Sequence, residues 1–201
     1  MGRNIYEEDL MQYNVSGKQI DIGTALQTHV TDALDVVIEK YAERPTHANI
    51  TFSKSSSEFV SEIVIHLSTG LTAQARAHSH EIYAAFDAAA AKLEKQLRRY
   101  KRRLKDHHRE RTSPVELSAA SSYIIATDES DKDVEPQSLQ PVIVAELDHK
   151  IPSLSVGEAV MQMELSDAPV VVFNNEGRDS VNVVYRRADG HIGWIDPSNA
   201  G

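Results

Sequence analysis

The chain of 201 residues contains no cysteine, so it has neither a disulfide framework nor a Cys-ligated zinc site nor a catalytic thiol. No apolar run approaches the roughly 18–20 residues that cross a bilayer. The N-terminal segment MGRNIYEEDL has no hydrophobic signal core. These absences predict a soluble, cytoplasmic protein that has no membrane partner.

Enzyme motifs are also missing. The sequence has no P-loop, no Gly-x-Gly-x-x-Gly, no His-Glu-x-x-His and no Gly-x-Ser-x-Gly. We therefore expect no catalysis, no cofactor and no small-molecule substrate. His47, His66 and His78 share the polar face of a predicted sheet, but no carboxylate cluster accompanies them. We interpret them as polar surface positions in preference to a metal site.

The charges of the chain are unevenly distributed. Residues 1–111 hold 16 basic and 15 acidic side chains, whereas residues 112–140 hold 1 and 6, and residues 141–201 hold 4 and 9. Ten of the 21 Lys and Arg residues lie between Lys92 and Arg111. An acidic protein with one dense basic segment is expected to bind a polyanion locally.

Hydrophobic periodicity predicts an α+β chain with two domains. In residues 1–111 the pattern predicts β-α-β-β-β-α, a sandwich with two helices on one face of a sheet. Its predicted elements are strand 10–16, a helix from Thr24 to about Ala42, strands 46–54, 58–67 and 71–78, and a long helix from about His80 to His107. Each strand has one apolar and one polar face, so the helices are expected to cover a single face.

Residues 112–140 are rich in Ser, Pro, Asp and Glu, and we interpret them as a flexible acidic linker. Residues 141–201 predict a small β-α-β-β-β domain. Its helix begins with a capping box formed by Ser155 and Glu158. A domain of about 60 residues has a marginal core by itself, which favours self-association over a compact monomer.

The long helix predicts a cationic surface. Its apolar stripe faces the sheet, and the opposite side forms a basic ridge consisting of Lys92, Lys95, Arg98, Arg99, Arg102 and Lys105. A solvated surface is the simpler interpretation of a charged helix. Like charges three and four residues apart repel, however, which favours an external anion. No aromatic platform accompanies the ridge, so we expect phosphate and shape recognition of nucleic acid.

Two segments resemble a known family. IYAAFDAAAAKLEKQLRRYK is similar to the second helix of the ribosome hibernation promoting factors. VNVVYRRADGHIGWIDP resembles the signature of the dimerisation domain of the long form. Element order, linker and length also fit, so the resemblance covers nearly the whole chain.

The resemblance implies a non-enzymatic function. Residues 1–111 would bind the small ribosomal subunit between head and body, cover the decoding region and the mRNA and tRNA sites, and stop translation. Residues 141–201 would pair with a second copy, so that two ribosomes form an inactive 100S dimer in stationary phase or stress. The ridge would contact rRNA phosphates, with help from Lys18 in the first loop, Lys54 and Arg76.

The homodimer surface implied by the resemblance lies on the apolar strands of residues 141–201. Its candidate residues are Val170, Val171, Val172, Phe173, Val183 and Tyr185. The alternative function is that of a general double-stranded RNA or nucleoid-binding protein that dimerises through its tail.

Overall fold

The computed structural model describes residues 11–41, 45–107, 114–126, 142–178 and 180–197. It confirms the α+β class and both predicted element orders. The elements are β1 (Gln12–Lys18), α1 (Thr24–Tyr41), β2 (Pro45–Ser55), β3 (Glu58–Leu67), β4 (Thr72–Ser79), α2 (Ile82–His107), β5 (Leu117–Ile125), β6 (Ile143–Leu154), α3 (Val156–Leu165), β7 (Val170–Asn175), β8 (Ser180–Arg186) and β9 (Ile192–Ile195).

The N-terminal sheet has the strand order β1-β2-β3-β4. β1 and β2 are parallel, and the other neighbours are antiparallel. Ala48, Ile50 and Phe52 of β2 are fully buried, in the alternating pattern that the sequence predicted. Both helices contribute to the same core, α1 through Leu26, Val30, Leu34 and Ile38, and α2 through Phe86, Leu93 and Leu97.

Polar contacts fix the position of α2 between α1 and the edge strand β4. Toward α1, His29 Nε2 lies 2.8 Å from Asp87 Oδ1, and Lys40 Nζ lies 3.5 Å from Glu94 Oε1. Toward β4, Lys92 Nζ donates to the Arg76 carbonyl at 2.8 Å. Gln96 Nε2 likewise donates to the Gln74 carbonyl at 3.1 Å. These flanking contacts leave the remaining side of α2 facing outward.

The C-terminal sheet has the strand order β5-β6-β7-β8-β9, and α3 packs against it. The predicted capping box is confirmed: Glu158 N–H donates to Ser155 Oγ at 3.3 Å, and Ser155 N–H donates to Glu158 Oε2 at 2.9 Å. Leu154, Ala159, Met163, Phe173 and Val184 form a small core between α3 and the sheet.

Part of the predicted linker is a strand in the structure. Residues Leu117–Ile125 form β5, which pairs antiparallel with β6. In this pairing Leu117 lies opposite Pro152, and Tyr123 lies opposite Glu146. The sequence did not reveal this strand because its Ser- and Ala-rich start has no apolar alternation and its partner lies farther along the chain. The rest of the predicted linker, from 127 to 140, lies outside the described residues.

Among the described residues, no helix is both long and apolar enough to cross a membrane.

Candidate nucleic-acid interface and pairing surface

The outward side of α2 carries exposed cations that have no partner in the described part of the chain. Lys95, Arg98, Arg99 and Arg102 are exposed and make no hydrogen bond or ion pair with a described residue. Four unpaired cations within two turns repel one another, and an external anion would relieve that repulsion. The ridge therefore has the charge and accessibility that a phosphate backbone requires.

Arg76 lies at the edge of the sheet that α2 borders. Its side chain is exposed on β4, and its carbonyl accepts the hydrogen bond from Lys92 Nζ. Ala75 and Ala77 are buried toward the helices, so the Arg76 side chain lies on the opposite face of the sheet, and Lys92 meets β4 only at its edge. Lys105 lies in α2, but its side chain is outside the described residues.

Lys18 and Lys54 lie apart from the C-terminal half of the ridge. Lys18 ends β1 and is paired in register with Ser53, so it lies beside Lys54 at the end of the sheet that holds the β2–β3 turn. The C-terminal part of α2 lies at the opposite end, where the Tyr100 hydroxyl is 3.4 Å from Thr69 Oγ1. Both lysines are exposed, so they place two positive charges at this end of the sheet, apart from the C-terminal half of α2.

The first helix does not extend the basic surface. Asp32, Asp35 and Glu39 are exposed along α1. The Tyr13 hydroxyl donates to Asp35, and burial together with this carboxylate raises the pKa of Tyr13, which keeps the phenol protonated. The exposed face of α1 is therefore acidic, in contrast to the basic outward side of α2.

The predicted dimer residues divide between the two faces of the C-terminal sheet. Val170 pairs with Tyr185 and Val172 with Val183, and β7 alternates, so these four side chains share the face opposite α3. Ile195, the partner of Val183, and Val181 belong to the same face. No described helix covers this open face, on which Val170, Val172, Val181 and Ile195 are all exposed.

Phe173 was predicted to belong to the dimer surface, but it does not lie on the open face of the C-terminal sheet. Its side chain is fully buried against α3 within the chain itself, and Val171 packs on the same side. The apolar run of β7 therefore fills the internal core with one set of side chains and exposes the other. The sequence could not separate them, because a continuous apolar strand does not indicate which face the helix covers.

Gly193 shapes the open face. A Cβ at this position would lie 2.3 Å from Cζ of the Tyr185 ring. The ring therefore lies close against the backbone of β9 at Gly193, where a Cβ would clash with it. This places the Tyr185 ring over β9, next to the strand that carries Val183.

Comparison with known proteins matches two separate parts of the chain. The family model described as Sigma 54 modulation protein / S30EA ribosomal protein matches residues 13–105, and the model for the C terminus of that family matches residues 138–193. A ribosome hibernation promotion factor from Rhizobium meliloti is 38% identical over 94% of this chain and 98% of its own. The chain belongs to the ribosome hibernation promotion factor family.

Other relatives are more distant. A ribosome hibernation promotion factor from Bacillus subtilis is 31% identical over 94% of this chain and 100% of its own. Among solved structures, a ribosomal subunit interface protein from Coxiella burnetii covers 46% of this chain and 99% of its own length, with 25% identity and a TM-score of 0.41.

Arg103 and Glu164 form an ion pair between α2 and α3 that the sequence did not predict. Arg103 Nη1 lies 2.9 Å from Glu164 Oε2, and Nη2 donates to Glu164 Oε1 at 3.0 Å. They are 61 positions apart, one in α2 and the other in α3. No local sequence signal could have paired them.

On the face of the N-terminal sheet that the helices do not cover, the rings of His47 and His66 stack with centroids 4.2 Å apart. Burial, and then the neighbouring His47, lower the pKa of His66 below its ordinary value of 6.5. Protonation therefore favours the unfolded chain, in which the histidine titrates normally. The free energy of unfolding should fall as the pH decreases through about 6.5.

We expect His66→Gln to reduce this pH dependence. Thermal unfolding between pH 8 and pH 5.5, followed by circular dichroism, should show a smaller decrease in midpoint for His66→Gln than for the unsubstituted chain. His78→Gln, at an exposed position of β4, is the matched control. Identical pH profiles for all three proteins would contradict the assignment.

Proposed function

We propose that this protein is a ribosome hibernation factor that binds the rRNA of the small ribosomal subunit through the basic ridge. The observation that carries the proposal is a group of four exposed cations on α2 that have no partner in the described part of the chain: Lys95, Arg98, Arg99 and Arg102. The chain as a whole is acidic, with a formal net charge of −9. Repulsion from rRNA elsewhere on the surface would therefore orient the protein with α2 toward the phosphates.

The proposed site on the subunit is the decoding region, where mRNA and tRNA bind. Supporting this, ribosome hibernation promotion factors are the named relatives over nearly the full length of the chain. Lys18 and Lys54 provide a second cluster at the far end of the sheet, so the domain can contact two separated phosphate groups. Occupation of this region would block translation sterically, without a catalytic step or a cofactor, in the cytoplasm, where ribosomes act.

The open face of the C-terminal sheet supports self-association. Val170, Val172, Val183 and Tyr185, together with Val181 and Ile195, form an apolar surface on an otherwise acidic domain. A symmetric dimer would cover this surface with its own copy, which is how a twofold interface works. Two ribosome-bound copies would then join two ribosomes into an inactive 100S particle in stationary phase or stress.

A second candidate function is general binding of double-stranded RNA or of the nucleoid. It is favoured by the lack of an exposed aromatic side chain among the described ridge residues from Lys92 to Arg102, where Tyr100 is buried. Recognition would then depend on phosphates and helix shape, with little sequence preference.

Sucrose-gradient sedimentation of stationary-phase extracts distinguishes the two functions. Strains with and without the gene should be compared, and the protein should be located by immunoblotting. We expect it in the small-subunit and ribosome-dimer fractions, and we expect the dimer fraction to disappear without it. Sedimentation with free RNA or DNA, and an unchanged ribosome profile in the deletion strain, would favour the second function.

A further inference from the structure

Helix α3 of the C-terminal domain is bound to the edge of the N-terminal sheet. The side-chain amide of Gln162 accepts a hydrogen bond from Thr72 N–H at 2.9 Å and donates one to the Thr72 carbonyl at 2.9 Å. β4 is an edge strand, so the outward-facing backbone groups of Thr72 have no neighbouring strand. The amide of Gln162 takes the place of that strand at this residue.

A second contact lies where α3 meets the end of α2. The guanidinium of Arg103 and the carboxylate of Glu164 form a two-pronged ion pair with N–O distances of 2.9 and 3.0 Å. The side chains are 39% and 23% exposed, so water screens the pair less than it would a fully exposed one. Gln96, Tyr100, Met161 and Leu165 line the narrow cleft beside it.

A third contact lies at the adjoining turn of the N-terminal domain. Gly70 has a positive φ of 84°, and a Cβ there would lie 2.9 Å from Val115, which is buried. Glu116 follows Val115 in the chain, and its carbonyl accepts a hydrogen bond from Ser153 N–H at 2.8 Å. The chain leading into β5 is therefore held at the same end of the domain as α3.

We propose that the Gln162–Thr72 and Arg103–Glu164 contacts form an interdomain latch, and that rRNA competes with this latch for the C-terminal end of the basic ridge. The competition rests on the proposed rRNA-binding function; the latch itself does not. Arg103 lies in the same helical turn as Arg99 and Arg102, and Glu164 neutralises it. The C-terminal domain is also acidic, since residues 141–201 contain nine acidic and four basic side chains, and an acidic domain docked beside α2 repels phosphates.

The latch closes within a single chain. Val115 is anchored on the N-terminal domain, β5 pairs with β6, and β6 leads directly into α3. This covalent connection gives Gln162 and Glu164 a high effective concentration near Thr72 and Arg103. Opening the latch would release Arg103 for one additional phosphate contact. The slope of log K against log salt for RNA binding should therefore be steeper by about one for the open chain.

Förster resonance energy transfer between two dyes on the same chain tests the latch in the full-length protein. The chain has no cysteine, so Ser57→Cys and Ala188→Cys, both at exposed turn positions, accept a donor and an acceptor dye. In this background, Glu164→Gln with Gln162→Ala should lower the transfer efficiency. Glu146→Gln, at an exposed position of β6, should leave it unchanged. Circular dichroism will verify that each variant is folded.

Charge exchange is the rescue experiment. Arg103→Glu and Glu164→Arg should each lower the transfer efficiency when made alone, and the two together should restore it. Transfer that remains at the unsubstituted level in both single variants would overturn the latch. A loss of transfer on adding excess unlabelled protein would also overturn it, because the contact would then form between two chains.

Binding to purified small ribosomal subunits tests the competition. Subunits should lower the transfer efficiency of the labelled chain, and the double variant Glu164→Gln with Gln162→Ala should bind about five- to tenfold more tightly, because the closed form no longer reduces the apparent affinity. Unchanged affinity despite lost transfer would overturn competition. If no variant binds subunits, the proposed ribosomal function is wrong, while the energy transfer still decides the latch.

Discussion

Reversing the charges of Arg98 and Arg102 together is expected to weaken binding to the small ribosomal subunit by about 100-fold or more. Both side chains are exposed on the outward side of α2 and have no partner among the described residues, so each is available to a phosphate. A charge-assisted hydrogen bond contributes roughly 1.5–3 kcal/mol, or about 10–100-fold in affinity for each contact. Glutamate additionally repels the phosphate.

The measurement is equilibrium binding to purified subunits at several salt concentrations. The slope of log K against log salt should become shallower by about two for Arg98→Glu with Arg102→Glu, because two phosphate contacts are lost. The single variant Arg98→Glu has a matched control in Lys150→Glu, which makes the same change in net charge at an exposed position of β6. Equal effects of these two single variants would show that net charge alone governs binding.

The second large effect is expected on the open face of the C-terminal sheet. Val172→Lys with Val183→Lys places two charges on a cross-strand pair at the centre of the proposed dimer surface. A buried, unpaired charge is strongly unfavourable, and a twofold interface would contain four of them. We expect loss of the protein dimer and of ribosome pairing, with binding of single subunits retained.

Analytical ultracentrifugation of the protein and sucrose gradients of ribosomes are the two measurements. Val36→Lys, on an exposed valine of α1, is the control for adding charge at an exposed apolar position. A double variant that still pairs ribosomes would exclude this face as the interface.

Phe173→Ala should behave differently from the two valine substitutions. Because Phe173 is fully buried against α3, its loss should destabilise the C-terminal domain by about 3–5 kcal/mol. Pairing would then fail through unfolding, which the circular dichroism spectrum would reveal. A variant that unfolds no more readily than the unsubstituted chain would contradict the assignment of Phe173 to the internal core.

Much of the fold follows from local sequence patterns. The alternation of Ala48, Ile50 and Phe52 predicted a sheet with one buried face, and the structure buries these residues. The capping box of Ser155 and Glu158 likewise predicted the start of α3. Such patterns suffice because the period of a strand or a helix assigns each side chain to a face before any tertiary contact forms.

The basic ridge could also be recognised from the sequence. Ten cations between Lys92 and Arg111, combined with an apolar stripe at helical spacing, indicated a helix with one cationic side. That prediction needed no knowledge of the other elements, because the periodicity of α2 alone separates its apolar and basic sides.

Tertiary structure decided what was not local. Only the packing of α3 on one face of the C-terminal sheet separated the internal Phe173 from the exposed Val172, although the two are adjacent in one apolar run. Only the pairing of β5 with β6 turned part of a predicted linker into a strand. Gln162 contacts Thr72 across 90 positions, and Arg103 contacts Glu164 across 61. Sequence periodicity carries no information about such pairs, because their proximity depends on how whole elements dock.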